Sequence, residues 1–225
     1  MEVFSNGQMN QDAVMELFKT HSAAIFDMDG TLLDSMTVWH DIDNLFLERY
    51  GSEPDSEFQR LIAKMTLDTA ALKIQEHYKI PRTPKQIMAE FLELIGDYYY
   101  HKLPLKPGAL ELLQSLHEQG VRIMVATANE YDISYAALKR TGVLQYAEGV
   151  VTCSMAKAGK DSPAVYFLAC EKMKKTVSDC VIFEDSLYAM QTAGDCGFDV
   201  VAVFDEESKE DWNDICKISK CQVVF

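Results

Sequence analysis

Five short apolar runs, at residues 23–26, 121–126, 149–152, 180–183 and 200–204, constrain this chain more than any other feature. Each is too short for a buried helix. Each is also too uniformly apolar for a strand with one wet face, so each reads as a strand covered on both sides. The stretches around the last four carry helical spacing, at 109–119, 131–140, 163–172 and 186–193. Strands alternating with helices of that length specify a doubly wound α/β fold: a mostly parallel sheet with right-handed crossovers. A short helix over 12–20, capped by Asn10 or Asp12, precedes the first run. The tail from Trp212 is ambiguous, and 223–225 is a candidate for one more strand.

One long stretch breaks the alternation. From Met36 to Lys102 apolar residues recur at helical intervals (Trp39, Ile42, Leu45 and Phe46, then Phe58, Leu61 and Ile62, and later Ile87, Phe91, Leu94 and Ile95), with turns near Gly51 and Pro81. No alternating strand appears there. The expected organisation is a core made of residues 1–35 and 104–225, interrupted after the first strand by three or four helices at 36–103. A unit inserted at that point stands over the strand ends, where closure excludes water.

Charge and length narrow the function classes. The chain has 225 residues and a formal net charge of −14, from 21 basic and 35 acidic side chains. Such an excess disfavours nucleic acid or an anionic membrane as the main partner, while leaving a small phosphorylated molecule open, since a local cation or metal overrides the global field. The N-terminal residues lack the apolar stretch of a signal peptide, no run is long enough to span a membrane, and the six cysteines fit neither a zinc pattern nor a disulfide framework. These readings point to a cytoplasmic protein, a monomer or weak homodimer.

The polar residues that close the apolar runs carry the chemistry. Asp27 and Asp29 follow the first strand, and Glu184 and Asp185 follow the fourth. Parallel strands bring both acidic pairs to one sheet edge, where α/β folds place their sites. Hard oxygen ligands of this kind suit Mg2+, which favours few carboxylates, retained waters and substrate phosphate. Thr127, Ala128 and Asn129 end the second strand, where a hydroxyl and backbone N–H groups either cap the following helix or hold phosphate oxygens. Lys160 is either a surface lysine in a turn or a cation set among the acids, where it would bind phosphoryl oxygens.

The ordered set Asp27-Met28-Asp29-Gly30-Thr31, then Thr127, then Lys160, then Glu184-Asp185, each at a strand end, resembles the haloacid dehalogenase-like hydrolases. The resemblance covers essentially the whole chain. It is strongest to the group of beta-phosphoglucomutase and small phosphatases, whose helical cap follows the first motif. It implies hydrolysis of a phosphate monoester of a small metabolite with Mg2+ as cofactor. Asp27 would be the nucleophile that becomes an aspartyl-phosphate, and Asp29 the general acid and base. Asp27, the Asp29 backbone carbonyl and Asp185 would hold the metal, with Glu184 as a ligand or a supporting partner. Thr127 would bind a phosphoryl oxygen, and Lys160 would orient Asp27 and balance its charge. Gly30 and N–H groups near Met28 and Asn129 would complete the cradle. Trp39 reads as core packing or as a wall near the leaving group, and Lys64 and Thr66 are specificity candidates on a loop of the insert.

A sugar-phosphate mutase is the alternative. Mutase-like members carry a histidine five residues beyond the motif's last aspartate. From Asp34 that position is Trp39, and His40 lies one residue on, a rotation of about 100° around a helix. The segment 62–67 also lacks the glycine and arginine expected to grip a distal phosphate. Asp161 stands where proline often follows the lysine, and Ala189 where a helix glycine is common. Neither replaces a catalytic atom.

Overall fold

The protein is described by a computed structural model covering residues 11–62 and 65–225. Helix α1 (Gln11–Leu17) leads into β1 (Ala23–Phe26). Four helices follow: α2 (Met36–Glu48), α3 (Ser56–Ile62), α4 (Leu67–Tyr78) and α5 (Pro84–Asp97), the last continuing into one wide π-helical turn, Tyr98–Lys102. The chain then alternates: α6 (Ala109–Glu118), β2 (Arg122–Thr127), α7 (Tyr131–Arg140), β3 (Val150–Thr152), the single turn α8 (Cys153–Ala156), α9 (Ala164–Met173), β4 (Cys180–Glu184), α10 (Leu187–Asp195), β5 (Asp199–Val203), α11 (Trp212–Ile218) and β6 (Cys221–Val223).

The six strands form one sheet in the order β3-β2-β1-β4-β5-β6, every pair parallel. Both faces are covered, and the alternation along each strand sorts its residues between two cores. Ala24, Phe26, Val125, Val181, Phe183 and Val201 enter one apolar cluster; Ala23, Ile25, Met124, Ala126, Ile182 and Val200 enter the other. This double burial is why the strands read as continuous apolar runs. The chain adds β2 and β3 on one side of β1, then crosses to add β4, β5 and β6 on the other. The crevice at the carboxyl ends of β1 and β4 is therefore the topological switch point of the sheet.

The first of the two clusters does not stop at the sheet. It runs on through Leu32 and Leu33 to Ile42, Phe46, Phe58, Ile74, Ile87, Phe91, Ile95 and Tyr99 on the inserted helices. The segments that enter and leave these helices meet side by side. Leu33 and Leu105 form an antiparallel bridge, Asp34 N–H donates to the Pro104 carbonyl at 3.1 Å, and Lys106 N–H donates to that of Leu32 at 2.8 Å. The buried Lys106 ammonium then ties this stem to the end of β5, through Asp205 and the Phe204 carbonyl, both at 2.7 Å.

Several boundaries differ from the sequence reading. α1 ends at Leu17 rather than Thr20, because the Lys19 and Thr20 N–H groups bond to carbonyls three residues back, at Glu16 and Leu17, and tighten the chain into turns. Asp12 lies inside that helix, and Asn10 is outside the described residues. β2 and β5 each shift by one residue, and β4 extends to Glu184, so that acid belongs to the strand itself. The last strand is Cys221–Val223, not 223–225: its register is fixed by pairing Val201 with Cys221 and Val203 with Val223. All six cysteines are free thiols. No helix among the described residues is long and apolar enough to cross a membrane.

Candidate active site

Asp27 is the first residue beyond β1, and its backbone N–H still donates to the Phe183 carbonyl of β4 at 2.9 Å. That bond carries the sheet's register one step into the loop and aligns Asp27 beside the end of β4. Oxygens of Asp27, Glu184 and Asp185 lie within 4.8 Å of one another, and all three residues are buried. Lys160, only 3% exposed, reaches in from the loop before α9 and pairs with Asp27 and, at 2.5 Å, with Glu184 Oε1. Tyr166 also donates to Glu184 Oε1, at 3.4 Å, while Glu184 Oε2 accepts the backbone N–H groups of Asp185 (2.8 Å) and Ser186 (3.2 Å).

The electrostatics are those of too many acids for one cation. Burial, then the neighbouring Glu184, push the Asp27 carboxyl up to about 8 in spite of its pairing with Lys160. Burial, then Glu184 and Asp27, hold Asp185 well above the usual carboxylate range. Burial also opposes the charge on Glu184, but Lys160 outweighs it and Glu184 sits below its ordinary value. Burial likewise opposes the Lys160 charge, and Asp27 and Glu184 more than offset it, so the ammonium stays protonated. With every group ionised, three carboxylates facing one ammonium leave two uncompensated negative charges in a buried place. A divalent cation would balance such a set, and hard carboxylate oxygens are its natural donors.

The loop after β1 is folded tightly to allow this. Leu32 and Leu33 N–H groups both return to the Met28 carbonyl, at 2.9 and 2.8 Å. Gly30 has φ +82°, and a Cβ there would lie 2.5 Å from Asp185 Oδ2, so both backbone angle and space require glycine. Thr31 donates to Asp185 Oδ1 at 3.1 Å.

Asp29 points elsewhere. Its Oδ1 accepts from Ser35 Oγ at 2.7 Å and from the Tyr99 hydroxyl, and its Oδ2 faces the Asn129 amide at 3.4 Å. Its carboxylate therefore stands apart from the three-acid cluster. Burial raises its pKa, and the Tyr99, Ser35 and Asn129 donors partly oppose that. Asn129 sits on the turn after β2, where its N–H donates to Thr127 Oγ1 at 3.0 Å and its side-chain oxygen accepts the Glu130 N–H at 2.9 Å. Thr127 is buried, and Ala128 packs beside it against the second apolar cluster.

The sequence-derived candidates thus separate into groups. Asp27, Glu184, Asp185, Lys160 and Gly30 come together directly; Asp29 and Asn129 are joined to each other, with Thr127 bonded to Asn129. Trp39 is partly buried and donates its indole N–H to the Tyr99 hydroxyl at 2.9 Å, so it does more than fill space. Thr66 begins α4 with its hydroxyl engaged by Asp68 and Thr69, and no contact joins it to the acids among the described residues. Lys64 and the His40 side chain lie outside what is described. Sequence reasoning missed Tyr99, Ser35, Thr31 and Tyr166 as site residues. Thr31 stands inside the quoted first motif and Ser35 four residues beyond it, and that proximity was the available signal. Tyr99 had none beyond its place in a tyrosine run.

Comparisons with known proteins identify the family. Over 192 residues the chain is 31% identical to a bifunctional riboflavin kinase/FMN phosphatase of Arabidopsis thaliana, covering 83% of this chain but 49% of the relative, about half its length. It is 29% identical to the fructose-1-phosphate phosphatase YqaB of Escherichia coli over 190 residues, 83% of this chain and 98% of that protein. In fold it is similar to a crystal structure of beta-phosphoglucomutase from Clostridium difficile, with a TM-score of 0.74 at 15% identity over 90% of both chains. Residues 21–197, which hold both acidic pairs, the threonine turn and the buried lysine, match the family model described as haloacid dehalogenase-like hydrolase, and the chain belongs to that family.

Proposed function

We propose that the protein hydrolyses a phosphate monoester of a small sugar-like metabolite, with residues 1–35 and 104–225 as the catalytic core and 36–103 as a cap. The observation that carries this is the buried set Asp27, Glu184, Asp185 and Lys160 at the switch point of the sheet. The names of the curated relatives, which include a fructose-1-phosphate phosphatase and a hexitol phosphatase, support a sugar-like ester.

In this reading an Asp27 oxygen attacks phosphorus, the P–O ester bond breaks, and the departing alkoxide takes a proton from Asp29. Water then attacks the aspartyl-phosphate and gives its proton back to Asp29. The acyl-phosphate P–O bond breaks, releasing inorganic phosphate and restoring Asp27. Lys160 compensates charge on the transferring group, and Thr127 with the N–H groups of its turn holds the phosphoryl oxygens. Asp27 and Asp185 would hold Mg2+, with Glu184 as a ligand or a supporting partner, joined by the main-chain carbonyl of Asp29, whose side chain is already committed to Ser35 and Tyr99. The ion would supply charge neutralisation at the phosphoryl oxygens.

The mutase alternative has less behind it. Trp39, at the position where that group places a histidine, gives its only polar hydrogen to Tyr99. A screen of sugar, polyol and nucleotide monoesters with Mg2+ tests the reading. Phosphate release should dominate over rearranged product and be lost with a chelator; isomer formation outpacing release from hexose 1-phosphates would reverse the ranking.

The acid cluster also makes metal binding visible without turnover. In the metal-free protein Asp27 and Asp185 hold protons above their ordinary range, so the stability linked to those protons is complete below about pH 4. It is lost as pH rises, through about 8 for Asp27. Metal binding requires the ionised carboxylates. The rise in Tm on adding Mg2+ should therefore be larger at pH 8.5 than at pH 5.5, as read by thermal unfolding; equal rises at both pH values would exclude the three acids as the site.

A further inference from the structure

The wide turn at the exit from the inserted helices places Tyr99 against Asp29, and the details of that contact are specific. Tyr99 is fully buried although its neighbour Tyr100 is 42% exposed. Trp39, from α2, meets the Tyr99 ring edge-on at 6.2 Å between centroids and donates its N–H to the phenolic oxygen. With that lone pair occupied, the phenol's own hydrogen is directed to Asp29 Oδ1, where Ser35 donates as well. The backbone behind the ring is fixed from the sheet side: Arg140 at the end of α7 donates to the carbonyls of Tyr99 (3.3 Å) and Leu103 (2.5 Å). The two oxygens of Asp29 are thereby made unequal. Oδ1 is filled by two hydroxyl donors, whereas Oδ2, among the described residues, has the long Asn129 contact alone and faces the turn that follows β2.

We propose that Tyr99, oriented by Trp39, is a positioning residue that anchors Asp29 by Oδ1 and so assigns proton transfer to Oδ2. The inference rests on the reading of Asp29 as general acid and base, and deepens it. Tyr99 touches neither phosphate nor leaving group in this scheme. It fixes the carboxylate rotation that brings Oδ2 to the ester oxygen, and a proton donor must sit within hydrogen-bond reach of the atom it serves. Without the hydroxyl, Ser35 alone holds Oδ1 and the carboxylate can rotate.

The test uses leaving-group dependence, which a loss of folding does not change. Wild type, Tyr99→Phe, Trp39→Phe, Tyr100→Phe and Asp29→Asn are assayed with Mg2+ on a series from 4-nitrophenyl phosphate through phenyl phosphate to fructose 1-phosphate. A nitrophenolate departs with little help, so proton donation matters least there. Tyr99→Phe should lower kcat by about 10- to 100-fold on the poorer leaving groups, with KM little changed, and by less than about threefold on 4-nitrophenyl phosphate. Trp39→Phe should shift in the same direction by a smaller factor, and Tyr100→Phe should track wild type. In an Asp29→Asn background Tyr99→Phe should add nothing. A Tyr99→Phe loss equal across the series, or no loss, or a further loss in the Asp29→Asn background would overturn the positioning role. Asp29→Asn turnover equal to wild type on the poor leaving groups would instead remove the reading of Asp29 beneath it, so the two failures are distinguishable.

Discussion

Asp27→Asn should leave a folded protein with almost no phosphatase activity. The amide is close to isosteric but does not form the acyl-phosphate, so turnover should fall by about 10⁴-fold or more, equivalent to about 5.5 kcal/mol in the barrier. Stability should move the other way. Asp27 is repelled by Glu184 and is buried, and a neutral side chain removes that burden. In the absence of metal the variant should melt no lower than wild type, while its Tm gain from Mg2+ should shrink. Rapid acid quench with phosphorus-labelled substrate should trap label on wild type and none on the variant. Phosphate release within tenfold of wild type would show that another group attacks phosphorus.

The second large effect is expected at Lys160. Its ammonium is shared by Asp27 and Glu184 inside a site from which water is nearly excluded. Lys160→Met keeps most of the stem but withdraws the charge, leaving the carboxylates unpaired. Breaking a buried pair from one side costs roughly 3–5 kcal/mol. In a chain of this size that is a Tm loss of roughly 10 °C. The acids can escape part of the penalty by taking up protons, so the loss should be smaller at pH 5.5 than at pH 8.5. Activity should fall to background at both pH values, because the cation facing the phosphoryl oxygens is gone. Lys160→Arg should not restore it: a forked guanidinium does not fit a pocket shaped around a single ammonium. A Lys160→Met protein that melts with wild type and turns over within tenfold of it would contradict the structural and the chemical role together.

How much of this was legible in the sequence follows from where each residue stands. Asp27, Glu184 and Asp185 stand at the ends of short apolar runs. Once those runs are parallel strands, the carboxyl edge is common to all of them and convergence follows from topology. Lys160 was readable only from the ordered set of motifs, since a lysine in a turn carries no periodicity. Tyr99 was not readable at all. Its approach to Asp29 depends on the pitch of one wide turn and on which of three consecutive tyrosines faces inward, and composition is silent on both. The one-turn helix α8 was missed because four residues show no period. The last strand was misplaced because its bounds are set by pairing with β5, a contact with no local signature. Thr66 was selected because its segment resembles a substrate loop, but its hydroxyl is taken up by the first turn of α4.

The apolar cluster that runs from the sheet into the inserted helices has a consequence for how the molecule comes apart. Phe26 and Phe183 on the strands belong to the same continuous packing as Phe46, Phe91 and Ile95 on the insertion. Between the two the packing narrows to Leu32, Leu33, Tyr99 and Leu103, where the Tyr98–Lys102 turn lies on α7, so denaturant meets a waist there at which the helices can part from the sheet.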